Sequence, residues 1–191
     1  YEEFKKAGYQ LRIQPYLLDA SKMGVPQRRR RVFFIALRND LAPQFMEAVD
    51  MFQTAPKLEL NFNEKEIKTK DFLEYKDRKK LTNSVQNYYN KRLDTEFCLG
   101  ETAERLGKRS HFNYMVLNPE KSSYTVTGKE NLIFNNGYLT DNELKKIGSY
   151  PSDYNFIKNK VTYLVGMSVP PVMVAQIAKE IYNQWLSKIN K

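Results

Sequence analysis

The stretch that most constrains this chain runs from Met23 to Arg38, Met-Gly-Val-Pro-Gln-Arg-Arg-Arg-Arg-Val-Phe-Phe-Ile-Ala-Leu-Arg, where a turn carries four successive arginines into an apolar run. Val32 to Leu37 is six apolar residues with no Gly or Pro inside. That length and the β-branched content predict a strand buried on both faces rather than a helix. Gly24 and Pro26 supply the turn before it. An unpaired guanidinium in a core costs several kcal/mol, so the four arginines are expected to meet solvent or an anion. In an extended chain Arg29 and Arg31 share one side and Arg28 and Arg30 the other. Two arginines on one face of a rigid strand make a preorganised clamp for a phosphate or a base. The plain alternative is a solvated basic turn.

Charge is distributed to match. Lys+Arg number 31 against 22 Asp+Glu, a formal net charge of +9, which fits a polyanionic partner without identifying it. Residues 1–38 hold 9 basic and 3 acidic groups, residues 40–75 hold 4 and 8, and residues 76–160 hold 15 and 10. A nucleic-acid surface in the middle of the chain is therefore expected from its later part. At 191 residues there is enough chain for one domain with a proper core, or a small domain plus part of another. The single Cys98 excludes an internal disulfide framework and a cysteine-based zinc site, and fits a reducing, cytoplasmic compartment. No apolar run is expected to reach the length of a membrane span, and the start lacks a signal-peptide pattern. The chain begins with Tyr1 inside a helical pattern, which suggests a piece of something longer.

In chain order, Tyr1–Ala7 reads as a helix stopped by Gly8, and Tyr9–Leu18 as extended, with Pro15 pushing it toward an edge. A short helix is expected at Gln44–Phe52 after Pro43, and a strand at Ile67–Lys70 running into a helical turn at Asp71–Tyr75. Leu81–Leu93 places Val85, Tyr88, Tyr89 and Leu93 at helical spacing, with core packing favoured over base stacking for the tyrosines. Lys108-Arg109-Ser110-His111 precedes an expected strand at Phe112–Leu117, and Ser123–Gly128 reads as another strand. Thr140 with Glu143 three residues on forms a capping box for a helix that Pro151 ends. Pro171 then opens a last helix in which Val174, Ile177, Ala178, Ile181 and Trp185 share one face.

These motifs resemble, in order, those of the DNA cytosine-5 methyltransferases. Pro26-Gln27-x-Arg29-x-Arg31, an apolar strand and Arg38-Asn39-Asp40 look like motif VIII. Ser123-Tyr124-Thr125-Val126-Thr127 resembles the Pro-Thr-apolar-Thr segment of the target recognition domain, with Tyr124 for the usual Pro. Gly137-Tyr138-Leu139-Thr140-x-x-Glu143 with Tyr150-Pro151-Ser152-Asp153-Tyr154 is similar to motif IX, Gly137 standing for its Arg, Lys146 for a second Arg and Gly148 for a Gln. Gly166-Met167-Ser168-Val169-Pro170-Pro171 resembles motif X, with Met167 for the usual Asn. The matches cover residues 1–40 and 110–191.

The resemblance implies an α/β fold: a carboxy-terminal fragment of a Rossmann-like S-adenosylmethionine-dependent methyltransferase domain, with a small mixed α+β target recognition domain inserted. Residues 1–40 would close the catalytic domain, 41–160 would be the recognition domain, and 161–191 would return to the catalytic domain. The implied reaction moves a methyl group from S-adenosylmethionine to carbon 5 of a flipped cytosine in double-stranded DNA, after a cysteine thiolate adds to carbon 6. The nucleophile loop and most of the cofactor site would lie in an amino-terminal portion outside this chain, and Cys98 is not nominated as nucleophile. Arg31 would hold the cytosine carbonyl oxygen, and Arg29 a phosphate or the nucleophile loop. Gln27, Lys108, Arg109 and Thr125 would contact DNA, and Gly166, Ser168 and Val169 the cofactor. Expected partners are DNA and the missing amino-terminal portion, with no membrane; exposed catalytic-domain surface makes self-association a further expectation. Three readings stay open: part of one prokaryotic or phage-type enzyme chain, a non-catalytic DNA-binding subunit of a split enzyme, and an RNA-directed relative.

Overall fold

The computed structural model describes residues 1–11, 15–74, 78–108 and 114–189. The chain is of the α/β class and divides into two compact units. The first comprises Tyr1–Asp19, Arg30–Asn63 and Val174–Lys191, and the second Ala20–Arg29 and Glu64–Met173. Packing thus cuts the chain at places other than the motif boundaries near 40 and 160. The arginine turn is drawn into the second unit because Gln27 and Arg29 are buried there.

In the first unit α1 (Glu2–Lys6) precedes six short strands: β1 (Tyr9–Leu11), β2 (Tyr16–Asp19), β3 (Arg30–Phe33), β4 (Ala36–Arg38), β5 (Met46–Ala48) and β6 (Thr54–Pro56). Gly8 leaves α1 at φ +84, a left-handed conformation that costs glycine little. β1 pairs antiparallel with β4, β2 with β3, and β5 with β6. The single buried strand expected at Val32–Leu37 is instead divided between β3 and β4, and Val32 and Phe34 are 53% and 59% exposed. Among the described residues each of these strands pairs with one neighbour only, and a two-stranded ribbon covers one face. Val32 and its cross-strand partner Leu17, 63% exposed, lie on the open one. The helix expected at Gln44–Phe52 is also absent. Ala42–Phe45 makes a 3-10 turn, and the next residues spend their backbone bonds across the β5–β6 hairpin.

The second unit is built on a four-stranded sheet in the order β7 (Lys79–Lys80), β10 (Gly137–Tyr138), β9 (Leu132–Phe134), β8 (Met115–Val116). Asn135 and Asn136, both at positive φ, make the two-residue turn between β9 and β10, as a primed hairpin turn requires. Both faces of the sheet are covered. Ile133 and Tyr138 face Leu81, Val85 and Leu99, from the segment carrying α2 (Asn83–Lys91) and α3 (Leu99–Arg105). Leu132 and Phe134 face Leu144, Ile147, Val161 and Val165 of α4 (Asp141–Ile147) and α5 (Val161–Met167). Two covered faces explain an unbroken apolar Leu-Ile-Phe strand. Tyr88 and Tyr89 pack against the first cluster, in keeping with core packing, whereas Leu93 is 52% exposed.

Several expected elements differ. Ile67–Lys70 forms no strand; Thr69–Asp71 is a 3-10 turn. Ser123–Gly128 makes no ladder beyond one bridge between Ser123 and Gln27. The Thr140–Glu143 capping box is present, but α4 ends at Ile147 with Gly148 as its cap, ahead of Pro151. Of the expected Phe112–Leu117 strand, Met115–Val116 is β8, while residues 112 and 113 lie outside the described ones.

α6 (Pro171–Gln184) begins with Pro171 at its first position and belongs to the first unit from Val174 onward. There Ile177 and Trp185 are buried, the Trp185 indole donates to the Lys57 carbonyl at 2.7 Å, and Gln184 bonds both backbone groups of Glu59. Val174, at 47% exposed, and Ala178 lie off that buried stripe, contrary to the expected face. The stretch Val161–Lys188 is long and apolar enough to cross a membrane by length and composition, with a mean hydropathy of 1.5 over its most apolar part. It comprises α5, α6 and a 3-10 turn at Leu186–Lys188, however, and is interrupted where Ser168 turns extended before Pro170.

Candidate functional site

The site grows out of the segment Pro26–Arg29. Its backbone runs beside Ser123: the Ser123 amide donates to the Pro26 carbonyl at 3.1 Å and the Arg28 amide to the Ser123 carbonyl at 2.9 Å. That alignment aims two side chains into the second unit. Gln27 is fully buried; its Oε1 accepts from the Val126 amide at 2.9 Å and its Nε2 donates to the Ile147 carbonyl at 3.2 Å. Arg29, 1% exposed, donates from Nη1 to the Val126 carbonyl at 3.1 Å, and from Nη2 to the carbonyls of Gly166 at 2.7 Å and Ser168 at 2.8 Å.

These contacts explain why 123–128 needs no ladder. Both peptide groups of Val126 are satisfied by side chains, Gln27 on the N–H and Arg29 on the C=O, which removes the penalty for burying them. They also show that one arginine of the run, expected to meet solvent or an anion, is withdrawn from solvent and bonded to carbonyls. Carbonyls at the C-terminal end of α5 have no helical partners and carry partial negative charge, so they can receive a buried guanidinium. Arg29 and Gln27 are thus buried and held by backbone groups.

The other predicted residues fall into different surroundings. Arg31 is on β3 in the first unit, partly exposed, with Nη1 donating to the Arg30 carbonyl at 2.7 Å. Thr125 is partly exposed, and its hydroxyl donates to the Arg28 carbonyl at 2.5 Å, so its free capacity is as an acceptor. Tyr124 carries the Arg28 guanidinium 4.5 Å from its ring centroid, a cation–π contact that a proline there would lack. Lys108 is exposed beyond α3, and Arg109 lies outside the described residues. Gly166 is buried, Ser168 half-buried with Oγ donating to the Val165 carbonyl at 3.0 Å, and Val169 and Met167 are exposed.

Two features were not foreseen. A cleft of about 550 Å³ in the second unit is lined by Lys79, Lys129 and Lys160, with Tyr114, Glu130 and Asp141 also present. Lys79 is held by Glu130 at 2.9 Å; burial and the Tyr138 hydroxyl push the Tyr114 phenol up from its ordinary value. The second feature is a buried ion pair between Arg78 and the capping-box Glu143, whose side chains are 4% and 0% exposed. Gly137, at the motif's Arg position, makes room for it: a Cβ there would lie 2.6 Å from the Arg78 Cβ. No spacing rule links positions 78, 137 and 143, so only the folded sheet could reveal the arrangement.

Comparison with known proteins gives this geometry its context. The C-5 cytosine-specific DNA methylase family profile matches residues 1–183. Type II methyltransferase M.BbvI of Brevibacillus brevis is 28% identical over 183 residues, a match covering 87% of this chain and 47% of that protein. Type II methyltransferase M1.HphI of Haemophilus parahaemolyticus is 26% identical over 193 residues, covering 94% and 50%. The chain therefore spans about half the length of the curated relatives it matches. Among solved structures, the Entamoeba histolytica methyltransferase EhMeth aligns with TM-score 0.59 at 14% identity, over 96% of this chain and 56% of that one. The S. pombe Dnmt2 methyltransferase aligns with TM-score 0.54 at 15% identity, over 94% and 59%. At such identities the likeness speaks for the fold. With its profile matched almost from end to end, the chain belongs to the C-5 cytosine-specific DNA methylase family.

Proposed function

We propose that the chain is the target-recognition and carboxy-terminal part of a DNA cytosine-5 methyltransferase. The whole protein would transfer a methyl group to carbon 5 of a cytosine turned out of duplex DNA. One observation carries the reading: segments resembling motif VIII, the recognition Thr-Val-Thr and motif X, far apart in sequence, share one buried hydrogen-bond network. The half-length match to type II methyltransferases supports the view that further catalytic groups belong to another portion of the protein. So do the open apolar side chains of the first unit, Leu17, Val32 and Phe34 on or beside the β2–β3 ribbon and Tyr182 and Leu186 near its end, which a larger catalytic domain would cover.

Within this reading Arg31, an always-charged fork donor fixed on a strand and partly open, holds the flipped base at its carbonyl oxygen. Thr125 sets the register of the recognition segment, and the lysine cleft meets phosphates in the region that carries excess positive charge. S-adenosylmethionine supplies the methyl group when bound. The turn at 166–169 suits one edge of its site, with Ser168 Oγ free to accept, Val169 exposed as an apolar rim, and buried Gly166 shaping the turn rather than touching a ligand.

The test is methyl transfer from labelled S-adenosylmethionine to mixed-sequence duplex DNA, by this chain alone and joined to its upstream reading frame. Product at 5-methylcytosine only in the joined form, with Arg31→Ala abolishing most of it while duplex binding persists, is the expected result. Near-normal turnover by Arg31→Ala would remove its assignment. No methylation by either form would leave a DNA-binding subunit as the better reading.

A further inference from the structure

We infer that Arg29 is a positioning residue that locks the recognition segment 125–128 to the turn 166–168 and does not itself contact DNA. The inference rests on the reading above for what those two segments do. Its evidence is separate, and comes entirely from within the second unit.

The guanidinium bridges the Val126 carbonyl on one side and the Gly166 and Ser168 carbonyls on the other, so one rigid planar group sets the spacing of the two segments. The backbones also touch directly. A Cβ on Gly166 would lie 2.3 Å from the Thr127 carbonyl carbon and oxygen and 2.6 Å from the Gly128 nitrogen, which leaves no space for any other residue. Gln27 holds the far side of Val126 through its amide and ties it to the end of α4 at Ile147. Thr125 is fastened to the Arg28 carbonyl. Neither segment can shift without breaking hydrogen bonds to a buried charge, and packed interiors resist gradual deformation. The consequence is that the recognition threonines and the turn assigned to the cofactor move as one body, in a register that Arg29 sets. A DNA-phosphate role would instead need this guanidinium to leave three carbonyls and reach solvent.

Hydrogen exchange and salt-dependent DNA binding of the 191-residue chain separate the two roles. In Arg29→Met, amides of 123–128 and 164–170 are expected to exchange about tenfold faster or more, while α2 keeps its protection. Arg29→Lys, which keeps a cation able to reach part of the carbonyl set, is expected to recover part of that protection; it also serves if the methionine variant fails to fold. The slope of log K against log salt for duplex DNA should stay within about 0.3 of the parent value, because a lost phosphate contact lowers it by about 0.9. Gly166→Ala, which forces the backbones apart from the other side, should loosen the same two segments. A slope reduced by about one with local exchange unchanged overturns the inference, as does protection lost equally from α2. If the parent chain binds no DNA, the functional reading loses its support, and the exchange pattern alone decides whether Arg29 locks the two segments.

Discussion

Replacing Arg78 with methionine strands a carboxylate inside the second unit. Glu143 is fully buried, and its oxygens accept from the Glu74 amide at 3.0 Å, the Thr140 amide at 2.9 Å and the Thr140 hydroxyl at 3.2 Å, in addition to Arg78. Methionine fills most of the arginine stem's volume but removes the only cation paired with that carboxylate among the described residues. Removing one partner of a buried pair costs about 3–5 kcal/mol, far more than an exposed pair, because the remaining charge cannot return to water. At about 2–4 °C per kcal/mol for a chain of this size, the melting temperature should fall by about 10 °C. Adding Glu143→Gln removes the stranded charge while keeping an amide at the capping position, so the double variant should be more stable than Arg78→Met alone. Urea unfolding of the parent, both singles and the double closes the cycle. A cost below about 1 kcal/mol for Arg78→Met, or a double variant as unstable as the sum of the singles, would refute the reasoning.

Two further outcomes follow from separate parts of the second unit. Glu96 accepts from Arg105 at 2.6 Å, the Thr102 hydroxyl at 2.8 Å and the Leu93 amide at 2.9 Å, which holds its carboxyl down from 4.5 to about 2, with the arginine contributing most. Because the folded value is depressed, its stabilisation is complete above about pH 4.5 and lost as pH falls toward 2. Acid unfolding followed by circular dichroism should therefore flatten over that window in Glu96→Gln, which is also less stable at neutral pH; an unchanged profile would count against the pairing. In the lysine cleft, joint Lys129→Ala and Lys160→Ala substitution should weaken duplex binding uniformly across sequences and reduce the salt slope by about 1–2. An unaltered slope would place the DNA surface elsewhere.

Much of the local chemistry could be read directly from the chain. The Thr140–Glu143 capping box, the glycine stop after α1, the core-facing tyrosines of α2 and Pro171 at a helix start depend on residues within a few positions of one another. Physical rules that act over one or two turns fix such features. Expectations failed where a neighbour decides. A six-residue apolar run became two exposed-edged strands because pairing on the first unit's ribbons leaves one face open, and a β-branched stretch at 123–128 became ladder-free because side chains satisfied its peptide groups.

The arginine run makes the same division within four residues. The sequence by itself determined that a guanidinium needs a partner for each buried donor, and its resemblance to a known family linked the Pro-Gln-x-Arg-x-Arg spacing with a Thr-Val-Thr and a Gly-x-Ser-Val-Pro-Pro far downstream. Only the tertiary structure decided that Arg29 finds its partners in carbonyls at the end of α5, that Arg78 enters the space left by Gly137, and that three lysines line one cleft. Hydrogen-bond demand is a property of the residue, whereas the group that meets it is set by which distant backbone the fold brings within 3 Å.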